Sequence, residues 1–146
     1  MKIYLTSFVL LLMLLIFACS DVDQSNSDLP PIQPNPNGDS ELALLMREMF
    51  DDGMRMKEQI ENGDKLEVLA KFEKIHTAQA TEPDKAASKK YKLYADAYLN
   101  MLEQLKASSK EDTEILFQGL VESCMNCHRA MCPGPMVRIK KLYLKK

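Results

Sequence analysis

From residue 39 onward the apolar positions recur at steps of three and four, the spacing of one helical face, and no stretch alternates as a half-buried strand would. Leu42, Leu45, Met46, Met49, Gly53, Met56 and Ile60 form one such face. They predict a helix over residues 40–62, capped by Ser40 or Asp39 and stopped by Gly63. A second helix is expected from Asp64, carrying Leu66, Leu69, Phe72, Ile75 and His76 before fading near Thr81. A third, over residues 84–107, presents Tyr91, Tyr94, Tyr98, Leu102 and Leu105. The fourth starts at Ser108 or Ser109, where Asp112 can complete a capping box for Ser109. It carries Ile115, Leu116, Leu120, Cys124, Cys127 and Met131, and Pro133-Gly134-Pro135 ends it. Short links favour antiparallel neighbours, so the expected fold is all-α, an antiparallel up-down four-helix bundle.

The first 38 residues have another texture. Lys2 precedes an apolar run from about Phe8 to Ala18, the layout of an export signal and too short for a comfortable membrane span. Ile16-Phe17-Ala18-Cys19 resembles a bacterial lipobox, which makes Cys19 the lipidated first residue after cleavage. Phe17 is bulkier than the usual occupant, and a plain signal peptide cut near Ala18 is the alternative. Ser20 after the cysteine implies, by resemblance to lipoprotein sorting, an outer-membrane protein facing the periplasm. Residues 19–38 then read as lipid anchor and flexible tether, rich in Ser, Asp, Asn and Pro, and residues 39–146 as one domain. Losing Lys2 with the signal leaves 18 basic residues against 21 acidic ones. That balance, without a clustered basic surface, gives no reason to expect nucleic acid, and the membrane is expected to be met through the N-terminal lipid alone.

Candidate chemistry is concentrated in ESCMNCHRAMCPGP, residues 122–135. Cys124-Met125-Asn126-Cys127-His128 has the order and spacing of covalent haem attachment. On a helix, residues three and four apart share a face, so both thiols and the imidazole fall on one arc. Two thiols there can add to the vinyl groups of one porphyrin, with His128 as proximal iron ligand. A structural zinc site could draw on Cys124, Cys127, Cys132 and either His128 or His76, but adjacent Cys127 and His128 make an awkward chelate. A thioredoxin-like pair lacks its βαβ context, and a disulfide remains open in an exported chain. Cys132 is expected as a small buried apolar residue.

With eighteen residues after His128, the chain cannot be a cytochrome that places this motif early and draws methionine from far downstream. CMNCH in the last helix and LLMREM early in the first resemble instead the cytochrome c-prime superfamily and its low-spin, methionine-ligated relatives, over roughly residues 40–130. The ending CPGPMVRIKKLYL looks like that of small haem lipoproteins. The resemblance implies one haem c per chain near the end of the last helix, redox proteins as partners, and Met46 facing the iron. It also makes a homodimer compatible, since related bundles often pair.

Helix geometry agrees with that placement of Met46. In an antiparallel bundle the start of the first helix lies beside the end of the fourth, and Met46 is about 9 Å past Ser40 along the axis. Met56, about 24 Å along, is too far, and Met49 is intermediate. His76 is the main rival as distal ligand, and a vacant position is the third case. Gly53 either leaves room for a flat cofactor or is a tolerated helix glycine. Leu45, Met49, Phe50, Phe72, Tyr91 and Tyr94 are the expected apolar wall. Arg138, Lys140, Lys141, Lys145 and Lys146 form a basic tail that could steer an acidic partner, although a solvated tail with its apolar residues laid on the bundle fits better. Electron transfer is the expected function. The rivals are a five-coordinate haem protein binding NO or CO and a haem-free lipoprotein using its cysteines for zinc or a disulfide. No paired carboxylates, activated nucleophile or phosphate-cradling glycines suggest an enzyme.

Overall fold

The computed structural model describes residues 38–145, and among them the regular structure is helical with no strand. The export signal, Cys19, nearly all of the tether and Lys146 lie outside the described residues. Among those described, no helix is long and apolar enough to cross a membrane.

Helix α1 spans Glu41–Asn62. Ser40 caps it, its hydroxyl accepting from the Ala43 amide at 3.2 Å. Gly63 closes it in the left-handed region at φ 72°, which a glycine adopts without the Cβ penalty. Helix α2 is the short Pro83–Ala87, and α3 follows as Lys89–Lys106. The helix expected over 84–107 is therefore broken at Ser88, whose backbone is extended at ψ 147° and whose hydroxyl caps α3 through the Tyr91 amide. Ser88 was legible as a cap, but the apolar period runs through it unbroken.

Helix α4 spans Thr113–Met131, later than the Ser108 or Ser109 start expected. Ser109 and Asp112 do pair reciprocally, hydroxyl to carboxylate at 3.0 Å and amide to hydroxyl at 3.3 Å, but in the turn before the helix. Helix α5 is the single turn Met136–Ile139, continued by a 3-10 turn at Lys140–Leu142.

The second helix is corrected. Residues 64–71 form an extended strap, followed by one 3-10 turn at Phe72–His76. The sequence LEVLA fits a period of two as well as three: Leu66, Val68 and Ala70 pack against the core while Glu67 and Leu69 face out. Side chains of α1 supply the backbone partners that a helix would have supplied. The Asp52 carboxylate, buried in α1, accepts from the Leu69 and Ala70 amides at 3.1 and 3.2 Å and pairs with Arg55. Gln59 takes the Glu67 amide at 3.0 Å. The four-helix bundle expected from the sequence becomes three long helices with a strap across them.

Helices α3 and α4 run antiparallel, since Met101 lies against Gly119, Tyr98 beside Cys124 and Tyr91 beside Cys127. Helix α1 also opposes α4: Gly63 sits near Lys110, while Met46 and Met49 meet the last turns of α4. Phe117, Met56, Leu102, Leu105 and Val121 fill the centre, and Phe72 brings the strap in against Tyr98 with ring centroids 5.8 Å apart.

The C-terminal segment lies on this core through Ile139 and Leu142. Lys57, itself buried, donates to the carbonyls of Lys141 and Tyr143 at 2.9 and 2.6 Å. Gly53 serves this contact and not a cofactor, because a Cβ there would stand 3.1 Å from Leu142 Cδ2.

Two stability predictions follow from these ties. Asp52→Ala leaves two strap amides and a guanidinium without their acceptor and should cost about 3 kcal/mol in urea unfolding. Gly53→Ala should be nearly neutral, helix propensity offsetting the push on Leu142, whereas Gly53→Leu should cost about 1–3 kcal/mol by overpacking.

Candidate functional site

One face of α4 is used for two purposes. Phe117, Leu120, Val121 and Met125 turn inward to make core, and Cys124, Cys127 and His128 follow on the adjoining arc. These three side chains line a single narrow cleft with about 30 Å³ of free volume. Helix α1 closes one wall of it with Met46 and Met49, and the strap contributes Ile75. Helix α3 supplies Tyr94, Ala95 and Tyr98. None of the lining residues is acidic, and none is a lysine or arginine.

The two cysteines are half-buried and unbonded to each other. Burial, reinforced by the neighbouring cysteine, pushes the Cys124 thiol up to about 12. Burial likewise carries Cys127 to about 11, with Cys132 adding to it. Both are therefore neutral thiols near pH 7. The Tyr91 hydroxyl is raised to about 12, first by burial, and donates to the Ile75 carbonyl at 2.8 Å. That bond fixes the turn that brings Ile75 to the cleft.

His128 is buried, and its Nδ1 lies 3.1 Å from the Cys132 carbonyl oxygen. Burial lowers its pKa, so the ring is held neutral. With Nδ1 engaged, Nε2 is the nitrogen left for a ligand. A neutral imidazole whose second nitrogen donates to a backbone carbonyl is the usual arrangement of a metal-binding histidine.

Among the sequence-derived candidates, Cys124, Cys127, His128 and Met46 come together, with Met49 beside them. His76 does not join them. Its Nε2 faces outward to Asp96 at 3.0 Å, although its neighbour Ile75 reaches the cleft. Of the expected wall, Met49 and Tyr94 line the cleft; Leu45, Phe72 and Tyr91 are core around it. Phe50 lies elsewhere, under the Arg138 guanidinium at 4.3 Å. Tyr98, Ala95 and Ser123 also line the cleft although none belongs to the expected wall; Tyr98, on the expected apolar face four residues after Tyr94, could have been placed there by helical spacing alone. Cys132 is exposed and not the buried residue expected, because Pro133 ends the helix before it can turn inward. Its Sγ is 3.4 Å from His128 Nδ1.

No protein family, curated protein or solved structure matches this chain. What the site can do is therefore argued from its own chemistry. Among the described residues, no three His, Cys, Asp or Glu side chains converge on a point that would hold a bare metal ion. The donors lie instead along the length of a cleft.

A pH prediction follows from His128. The folded state keeps the ring neutral, while in the unfolded chain it takes up a proton below about pH 6.5. Stability contributed by the neutral ring is complete above that pH and falls as pH drops, levelling below the folded pKa. In urea unfolding of haem-free protein, the stability difference between the natural chain and His128→Gln should shrink between about pH 8 and about pH 5. A constant difference would show that His128 is not held neutral by burial.

Proposed function

We propose that this domain is a mono-haem c-type cytochrome that transfers electrons. The observation that carries the reading is that Cys124, Cys127, His128 and Met46 all line one uncharged cleft. The thiols would hold one haem as thioethers, His128 would be its proximal ligand, and Met46 would face it from α1. When bound, the haem supplies a one-electron ferric–ferrous couple.

The fit of the residues to haem has two parts. The donor set fits: two neutral thiols one turn apart, an oriented imidazole and a thioether opposite. The closed cleft does not hold a porphyrin as it stands, with about 30 Å³ free against roughly 300–1,000 Å³ for ordinary ligand pockets. A porphyrin held by these residues would need α1 and the strap to stand further from α4 than they do here. A covalent cofactor suits such an opening, because it cannot be lost while the walls are apart.

With His128 and Met46 both available to hold the iron, a bound haem would leave no position for a substrate, which fits an electron carrier. Met46 and Met49 both reach the cleft while His76 is engaged by Asp96, so the histidine–methionine arrangement is favoured over two histidines. The chain fits a variant of the four-helix haem bundle in which the strap replaces the second helix. Its expected setting is the periplasmic face of the outer membrane, held by lipid on Cys19, with one haem c per chain and redox proteins as partners.

The test is the pair of ferric and ferrous absorption spectra on protein matured with haem. The colour should survive acid–acetone extraction, and should be lost in Cys124→Ala combined with Cys127→Ala. The natural protein should be low-spin, and Met46→Ala should become high-spin and bind carbon monoxide. An unchanged low-spin spectrum in Met46→Ala would move the distal role to Met49. A high-spin natural protein would favour the gas-binding reading. A colourless product would end the haem reading and favour a cysteine site for zinc or a disulfide.

A further inference from the structure

The end of α4 determines which nitrogen of His128 is free. In a continuing helix, the carbonyl of residue 132 would point along the axis, away from the side chain at 128. Here Pro133 follows, and a residue before proline is driven out of the α region. Cys132 accordingly sits at φ −159°, ψ 84° as the helix C-cap. Its amide still donates to the His128 carbonyl at 2.9 Å, so the residue stays fastened to the last turn. Its carbonyl swings back to 3.1 Å from His128 Nδ1.

We infer that Pro133 is a positioning residue for His128: by turning the Cys132 carbonyl onto the imidazole, it keeps the proton on Nδ1 and the lone pair on Nε2. The chemistry leaves one consistent assignment. A carbonyl oxygen only accepts, so at this distance the ring nitrogen must donate. An unprotonated Nδ1 would set two lone pairs against each other in a buried site. The Cys132 thiol, 3.4 Å from the same nitrogen, is a weak donor, and donation from it would leave the carbonyl oxygen facing a lone pair at 3.1 Å.

The consequence, though not the assignment, rests on the haem reading. A histidine that donates through Nδ1 is a more basic ligand at Nε2 and stabilises ferric iron relative to ferrous. Pro133 would then tune the couple downward without touching the haem.

The experiment has a haem-free and a haem-loaded arm. The chain contains two histidines, so His76→Gln leaves His128 as the single imidazole in nitrogen-15 spectra of the haem-free protein. His128 should be protonated at Nδ1 in that background and remain so with Cys132→Ser added, since the carbonyl is retained. Adding Pro133→Ala should move the tautomer ratio toward Nε2–H by about fivefold, the worth of one ordinary hydrogen bond. In the haem-loaded arm, Pro133→Ala should shift the midpoint potential upward and Cys132→Ser should not.

An Nε2-protonated ring in the Pro133 protein overturns the inference, as does an unchanged tautomer ratio in a folded Pro133→Ala. If Pro133→Ala does not fold, Pro133→Gly, which likewise frees Cys132 to return to the helical region, is measured in its place with the same expected shift. Nδ1 protonation in a chain that never takes up haem would uphold the positioning role while ending the cytochrome reading.

Discussion

A single buried carboxylate makes this core possible with only three long helices. Segment 64–71 lies where a second helix was expected, and its extended backbone brings amides to the protein surface of α1 with no helical partner. Asp52 takes two of them and is itself balanced by Arg55. Burying a lone carboxylate would cost several kcal/mol, so the group is tolerable only because amides and a guanidinium converge on it. The strap so fastened delivers Phe72 to Tyr98 and Ile75 to the cleft. The missing helix is replaced by a hydrogen-bonded clamp with two apolar anchors.

This explains where sequence reading succeeded and where it could not. The ends of α1 are local chemistry: a serine that caps and a glycine that adopts positive φ, both visible in the chain. CMNCH is also local, because spacing on one helix determines which face its members share. The strap is not local. Leu66, Leu69, Phe72 and Ile75 satisfy a helical period, and the residue that overrides it, Asp52, lies on another helix 17 positions from Leu69. The role of Gly53 fails for the same reason, since it depends on Leu142, distant in sequence. The break at Ser88 is local, a cap set between Lys85 and Tyr91 that the apolar period alone does not reveal.

The site itself was legible in its donors and not in its walls. Met46 could be placed because antiparallel helices fix which ends meet. The outward turn of His76 toward Asp96 could not, since the segment expected as a helix is a strap ending in a 3-10 turn, whose placement the local sequence does not determine. Ile75 goes to the cleft and His76 to Asp96 because of where the strap sets this turn down, and the strap is fixed by residues of another helix.

The electrostatics of the cleft bear on what a haem there would do. No lining residue carries a formal charge, His128 is neutral, Cys124 and Cys127 would be uncharged thioethers, and burial raises the Tyr98 hydroxyl well above its ordinary value. A porphyrin iron gains positive charge on oxidation, and a low-dielectric lining without a carboxylate does little to compensate it. That would raise the potential of a bound haem, in the same direction as a thioether ligand would. The hydrogen bond from His128 Nδ1 to the Cys132 carbonyl would act the opposite way, making Nε2 a stronger donor to ferric iron. A haem held there would thus meet two influences toward the reduced state and one toward the oxidised state. The last would come through Pro133, which does not line the cleft, so the end of α4 is where the couple of a bound haem could be adjusted without rebuilding the core.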